Sequence, residues 1–124
     1  ENENDAGGRN DYAYILSERK ESSRDDYNYA LQLAESAIAI DPENAVFLDT
    51  IGWIYYKLET YQKAEEFLEK SLSINDNNPV ILEHLGDIYI KLNKTTEAIN
   101  TYEKILKIDS DNQMIRNKIN NIYD

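Results

Sequence analysis

The stretch AVFLDTIGWIYYKLETYQKAEEFLEKSLSINDNN, residues 45–78, is followed without a gap by PVILEHLGDIYIKLNKTTEAINTYEKILKIDSDN, residues 79–112. Of the 34 aligned positions, 13 are identical. The identities are mostly apolar or small: Leu48, Gly52, Ile54, Tyr55, Leu58, Ala64, Leu72 and Ile74 return as Leu82, Gly86, Ile88, Tyr89, Leu92, Ala98, Leu106 and Ile108. Both halves of the unit place apolar residues at i, i+3, i+4 and i+7, which predicts two amphipathic helices with facing apolar stripes. So short a pair cannot enclose a core alone. Stacked pairs can, and that is the physical logic of a solenoid.

Working outward, the spacing predicts helices over 45–58, 61–74, 79–92 and 95–108. Asn44 and Asn78 read as caps, and Pro79 stands at the first helical position, where its missing amide hydrogen costs little. Upstream, Tyr12-Ala13-Tyr14-Ile15-Leu16 reads as the middle of an earlier first helix, with Ala13 where Gly52 and Gly86 stand later. About five extra residues then fall in the charged, Ser-rich segment 18–26, which predicts a lengthened helix end and a longer turn. Asp25 or Asp26 is expected to cap the next helix, whose apolar face runs from Tyr27 to Ile40, and Asp41-Pro42 ends it. Residues 1–9 read as a flexible polar entry. Residues 113–124 hold Ile115, Ile119 and Ile122 on one face among polar residues, as a capping helix would.

Composition narrows the function classes. The chain has 124 residues and suits a single α-helical domain. It lacks cysteine, which removes disulfides and thiolate metal sites. A formal net charge of -11 argues against nucleic acid and anionic membrane surfaces as partners. No apolar run is long enough for direct membrane insertion. The chain opens on Glu1 rather than Met, so it reads as an excised or processed piece, with its compartment open between bacterial cytoplasm and periplasm.

The unit resembles the tetratricopeptide repeat (TPR), on the residues Leu48, Ile51-Gly52, Tyr55, Tyr61, Ala64, Leu68 and Ser71 in one copy and Leu82, Leu85-Gly86, Tyr89, Thr95, Ala98, Tyr102 and Ile105 in the next. Thr95 departs from the usual Tyr, Ser71 and Ile105 from a small Ala, and Asp76 and Ser110 from Pro. The resemblance implies an all-α, right-handed TPR solenoid of about three helix pairs plus a C-terminal capping helix. Repeat 1 would span about 10–44, repeat 2 45–78, repeat 3 79–112 and the cap 113–124. Strings around Asp49-Trp53 and Leu82-Asp87 also resemble the terminal repeats of bacterial TPR lipoproteins and assembly adaptors.

What the resemblance implies is a non-enzymatic interaction module. First helices of such repeats line a concave groove through their second, fifth, ninth, twelfth and thirteenth positions. Here these are Val46, Asp49, Trp53, Tyr56 and Lys57, then Val80, Glu83, Asp87, Ile90 and Lys91, with Tyr14 reaching in from the first repeat. The expectation is an acidic floor with aromatic faces, suited to a basic or amphipathic peptide segment or helix of another protein through cation–π and charge contacts; the alternative is that Trp53 and Tyr56 pack against a neighbouring repeat. Groups that hold a C-terminal carboxylate in some TPR proteins are not matched. Two alternatives stay open: self-association into a homo-oligomer, and a regulatory TPR segment cut from a larger enzyme.

No catalytic constellation, cofactor motif or metal site is expected. His84 is the only histidine, and it is read as structural or as a residue near the groove edge. The run Asp109-Ser110-Asp111-Asn112-Gln113 imitates a calcium loop, then fails at Met114, where Gly is needed, and at Asn120, where a bidentate Glu is needed. Asn93-Lys94-Thr95 matches a glycosylation triplet by chance at a helix-to-helix turn.

Overall fold

A computed structural model describes residues 5–124 and shows seven helices among them: α1 Ala6–Glu18, α2 Arg24–Ile40, α3 Ala45–Lys57, α4 Tyr61–Ile74, α5 Pro79–Lys91, α6 Thr95–Ile108 and α7 Gln113–Tyr123. Each odd-numbered helix up to α5 packs against the helix that follows it, and α2, α4 and α6 pack in turn against α3, α5 and α7. On the inner side α1 meets α3 and α3 meets α5. The chain is an all-α solenoid.

Side-chain caps set the helix starts. Asn44, Asn78 and Asn112 recur every 34 residues and accept from Phe47 N at 3.1 Å, from Val80 N at 2.9 Å and from Ile115 N at 3.1 Å. Each satisfies an amide that the helix leaves unpaired, at about 1 kcal/mol per cap. The start of α2 corrects the expectation for Asp25 or Asp26: Ser23 is the cap, and Asp26 closes a reciprocal capping box by accepting from the Ser23 amide at 3.0 Å. The five extra residues of repeat 1 divide between an earlier start of α2, at Arg24, and a longer turn before it.

The expected flexible entry also changes. Residues 6–9 are the first turn of α1, because Asp5 accepts from Gly8 N at 2.8 Å. The carboxylate lies so close that a Cβ on Gly8 would come within 2.5 Å of it, so glycine there admits the cap. The rest of the predicted entry, residues 1–4, lies outside the described residues.

The turns α3–α4 and α5–α6 put a non-glycine residue in the left-handed region, Glu59 at φ 62° and Asn93 at φ 60°. Thr60 N and Lys94 N reach back to Tyr55 O and Tyr89 O, both at 2.9 Å, which is the Schellman closure. Asn tolerates that backbone better than Glu. Glu59→Gly is therefore expected to stabilise by about 0.5–1 kcal/mol, the relief of the left-handed strain less the added freedom of glycine when unfolded. Urea melts of the two proteins check it, and a smaller gain is expected for Asn93→Gly.

Two apolar clusters share the stack. One joins Ala13 and Leu16 of α1, Ala30 and Ala34 of α2, and Ile51 and Ile54 of α3; the other joins Ala64 and Leu68 of α4 to Leu82, Leu85 and Ile88 of α5, Tyr102 of α6 and Ile115 of α7. Gly52 and Gly86 lie where first and second helices cross, opposite Leu68 and Tyr102. Ser71, unusual at its position, is fully buried and donates to Ala45 O at 2.6 Å, tying α4 to the start of α3.

Candidate functional site: the inner face of the first helices

Positions five, nine and twelve of the first helices fall on successive turns of one helix face, with position six beside them, and that face is turned inward. On α3 it carries Asp49, Trp53 and Tyr56. On α5 it carries His84. The rings form a column: His84 stacks on Trp53 at 3.9 Å and 16°, and Trp53 stacks on Tyr56 at 4.3 Å and 7°. Tyr14 lies 6.2 Å from His84 at the α1 side. Trp53 Nε1 donates to Glu18 at 2.6 Å, and Lys57 sits over the same indole, 5.4 Å from the ring centre and 3.9 Å from Glu18.

Below the rings runs a polar ladder. Asp49, fifth residue of α3, accepts from His84 Nδ1, sixth residue of α5, at 2.9 and 3.2 Å. One repeat later Glu83, fifth residue of α5, accepts from Lys118 Nζ, sixth residue of α7, at 2.8 Å. Lys118 also donates to Asp87 at 2.8 and 3.0 Å, and Tyr102 donates to Asp87 at 2.5 Å. Burial works against the Lys118 charge, but the hydrogen bonds to Asp87 and Glu83 outweigh it and raise the pKa. Burial first, then the bond to Asp87, holds the Tyr102 hydroxyl well above the usual tyrosine value, so it stays a donor.

Two cavities flank this column. One of about 510 Å³ is lined by Tyr56, Asp87, Ile90 and Lys91 together with Lys118 and Ile122 of α7. The other, of about 450 Å³ on the α1 side, is lined by Asn10, Tyr14, Ile15, Val46, Thr50 and Val80, with Asp49 and Asp11.

All eleven groove positions read from the sequence thus have places on or beside this face: Tyr14, Val46, Asp49 and Val80 at the α1-side cavity, Tyr56, Asp87, Ile90 and Lys91 at the other, and Trp53, Lys57 and Glu83 between. The expected acidic floor with aromatic faces needs correction at its carboxylates, and for Trp53 the alternative of packing against a neighbouring repeat holds. Asp49, Glu83 and Asp87 each hold a donor of this chain, and for the buried Asp49 burial demands one. Trp53 is only 8% exposed: its faces are taken by His84 and Tyr56, and its cation–π partner is Lys57. His84, placed near the groove edge in the sequence reading, is buried. Four contributors were not among the groove positions: Glu18, His84, Lys118 and Asn10. The signal for two of them was a 35-residue interval from an acid to a base, Asp49 to His84 and Glu83 to Lys118.

Comparison with known families agrees with this architecture. The model of the family described as anaphase-promoting complex, cyclosome, subunit 3, which is of the tetratricopeptide type, matches residues 23–105. The chain belongs to this tetratricopeptide repeat family. No curated protein matches it significantly. Among solved structures, the thermophilic TPR protein TTC0263 of Thermus thermophilus is similar at a TM-score of 0.81 and 23% identity, over 97% of this chain and 64% of that one. The TPR chain here therefore spans under two thirds of the length of that relative. The second TPR domain of human RPAP3, solved with the HSP70 peptide SGPTIEEVD, is similar at 0.80 and 19% identity over 96% and 95% of the two chains. The Sgt2 TPR domain of Aspergillus fumigatus is similar at 0.81 and 17% identity over 95% and 76%. At these identities the likeness is one of fold.

Proposed function

We propose that this TPR chain is a protein-interaction module whose inner face, between α1 and α7, holds a peptide segment of a partner protein. The observation that carries the reading is the pair of open cavities on either side of one ordered ring column. A floor of side chains held by one another, with room above it, suits recognition of a partner segment. TPR domains of RPAP3 have been solved with the HSP90 peptide SRMEEVD and the HSP70 peptide SGPTIEEVD, which supports this use of the fold. Those peptides are acidic at their ends. Here Asp11 and Glu18 line or adjoin the face, Glu83 and Asp87 share the single charge of Lys118, and the chain has a net charge of -11, so the partner segment is neutral or basic.

The test needs no named partner. Immobilised chain is used to select from a displayed library of random peptides, and recovered peptides are rebound to the variant Tyr56→Ala with Ile90→Glu. Tyr56 is half-buried and Ile90 exposed, so helical circular dichroism is expected to persist while capture falls on the order of tenfold. Undiminished capture by the folded variant would remove the inner face as the binding surface.

A further inference from the structure

The polar ladder on the inner face is incomplete at its α1 end. Asn10 is the fifth residue of α1, the place of Asp49 on α3 and Glu83 on α5. Its partner in the ladder would be the sixth residue of α3, Thr50, as His84 partners Asp49 and Lys118 partners Glu83. Thr50 instead turns its hydroxyl back to Val46 O at 3.1 Å. Asn10 is only 3% exposed, and its Oδ1 is the one buried side-chain oxygen or nitrogen without a hydrogen-bond partner among the described residues. Such a group costs folding free energy, and its retention asks for a reason.

The reason lies next to it. Asn10 stands on the wall of the α1-side cavity, where each of the three first helices adds one half-exposed β-branched side chain: Ile15 from α1, Val46 from α3 and Val80 from α5. Ile15 is 56% exposed, whereas Ile54 and Ile88, its counterparts on α3 and α5, are fully buried. Exposed Asp11 lies on the rim of the same cavity. An apolar patch, an unused acceptor and a rim carboxylate converge within about 450 Å³.

We infer that this cavity is the anchor site for the partner segment: it takes a large apolar side chain, with the Asn10 amide turning into the cavity so that its Oδ1 accepts an N–H of the segment and completes the ladder, and an adjacent Lys or Arg pairing with Asp11. The inference rests on the interaction reading and specifies the chemistry that the reading leaves open. An acidic segment is repelled by Asp11 and the chain's net charge, and a wholly polar one leaves the aliphatic patch wet.

Library selection on the full chain again supplies the probes. Recovered peptides are expected to share an apolar residue flanked by Lys or Arg. Their binding is expected to fall on the order of tenfold for Val80→Glu and for Asn10→Leu. Asn10→Leu is also expected to raise the melting temperature, because it removes an unpaired buried polar atom. A loss of binding together with a gain of stability is what a merely structural Asn10 would not give. Peptides that lack the motif, or that bind Val80→Glu and Asn10→Leu unchanged while failing on Tyr56→Ala with Ile90→Glu, would overturn the anchor site and leave the interaction module standing. Recovery of no peptide would overturn both.

Discussion

Gly52→Ala is expected to lower the melting temperature by about 5–15 °C, corresponding to a loss of about 1–3 kcal/mol by overpacking. By helix propensity alone the change should help, since Ala is favoured over Gly by about 1 kcal/mol inside a helix. Geometry reverses the sign. A Cβ at this position would lie 1.9 Å from Leu68 Cδ2 and 3.2 Å from both Ala64 O and Phe67 Cβ. Leu68 is fully buried, so it can yield only by displacing its neighbours, and the Ala64 carbonyl is fixed by α4. The crossing of α3 and α4 would have to open. The same reasoning applies at Gly86, where a Cβ would stand 2.4 Å from the Tyr102 ring. Thermal melts followed by circular dichroism test it, and an unchanged or raised midpoint for Gly52→Ala would mean that the helices do not approach so closely.

His84→Ala is expected to have the largest effect among changes on the inner face, about 3 kcal/mol, at the low end of the roughly 3–5 kcal/mol that removing one member of a buried pair costs by stranding the other. The cause is what it leaves behind. Asp49 is 5% exposed and its carboxylate accepts only from His84 among the described hydrogen bonds. The ring column loses its end as well, so one face of Trp53 is uncovered. Because Trp53 is the only tryptophan, its fluorescence reports on that site directly: a changed native-state emission together with a lower urea midpoint is expected. Asp49→Asn, which keeps a hydrogen-bonding group opposite the ring, should cost less. Equal and small losses in both variants would show that the pair carries little of the stability.

Much of the fold was legible because the repeat is written in packing residues. Apolar positions at 34-residue spacing have no other use than to meet a neighbouring helix, so helix bounds read from residues 45–112 fall within a residue of α3 to α6. Repeat 1 was harder to read at its start. Asp5 acts through a cap on a Gly-Gly pair, and glycines so placed resemble a linker until the carboxylate is seen against them. The expectation of Asp25 or Asp26 passed over Ser23, which can cap equally well, and only the backbone direction decides among them.

The inner face was legible by position and not by state. The groove positions that the TPR resemblance implies pointed to Asp49, Trp53, Tyr56, Glu83 and Asp87, but a list of side chains does not say which ones satisfy each other. Lys118 lies 31 residues from Asp87 and 35 from Glu83, on a helix read only as a cap, and its neutralising role depends on α7 being the next first helix of the stack. The broken rung at Asn10 follows from a five-residue insertion that shifts repeat 1 out of the 34-residue register, so Asn10 and Asp49 are equivalent in space and not in simple spacing.

The most direct measurement is an amide chemical-shift map of the chain with and without a selected peptide. The account predicts shifts concentrated on the first helices, at Tyr14, Val46, Val80 and Ile90, with α2, α4 and α6 little changed along their outer sides. Shifts confined to those outer sides, at residues such as Glu35, Glu66 and Asn100, would contradict the inner face as the surface of recognition.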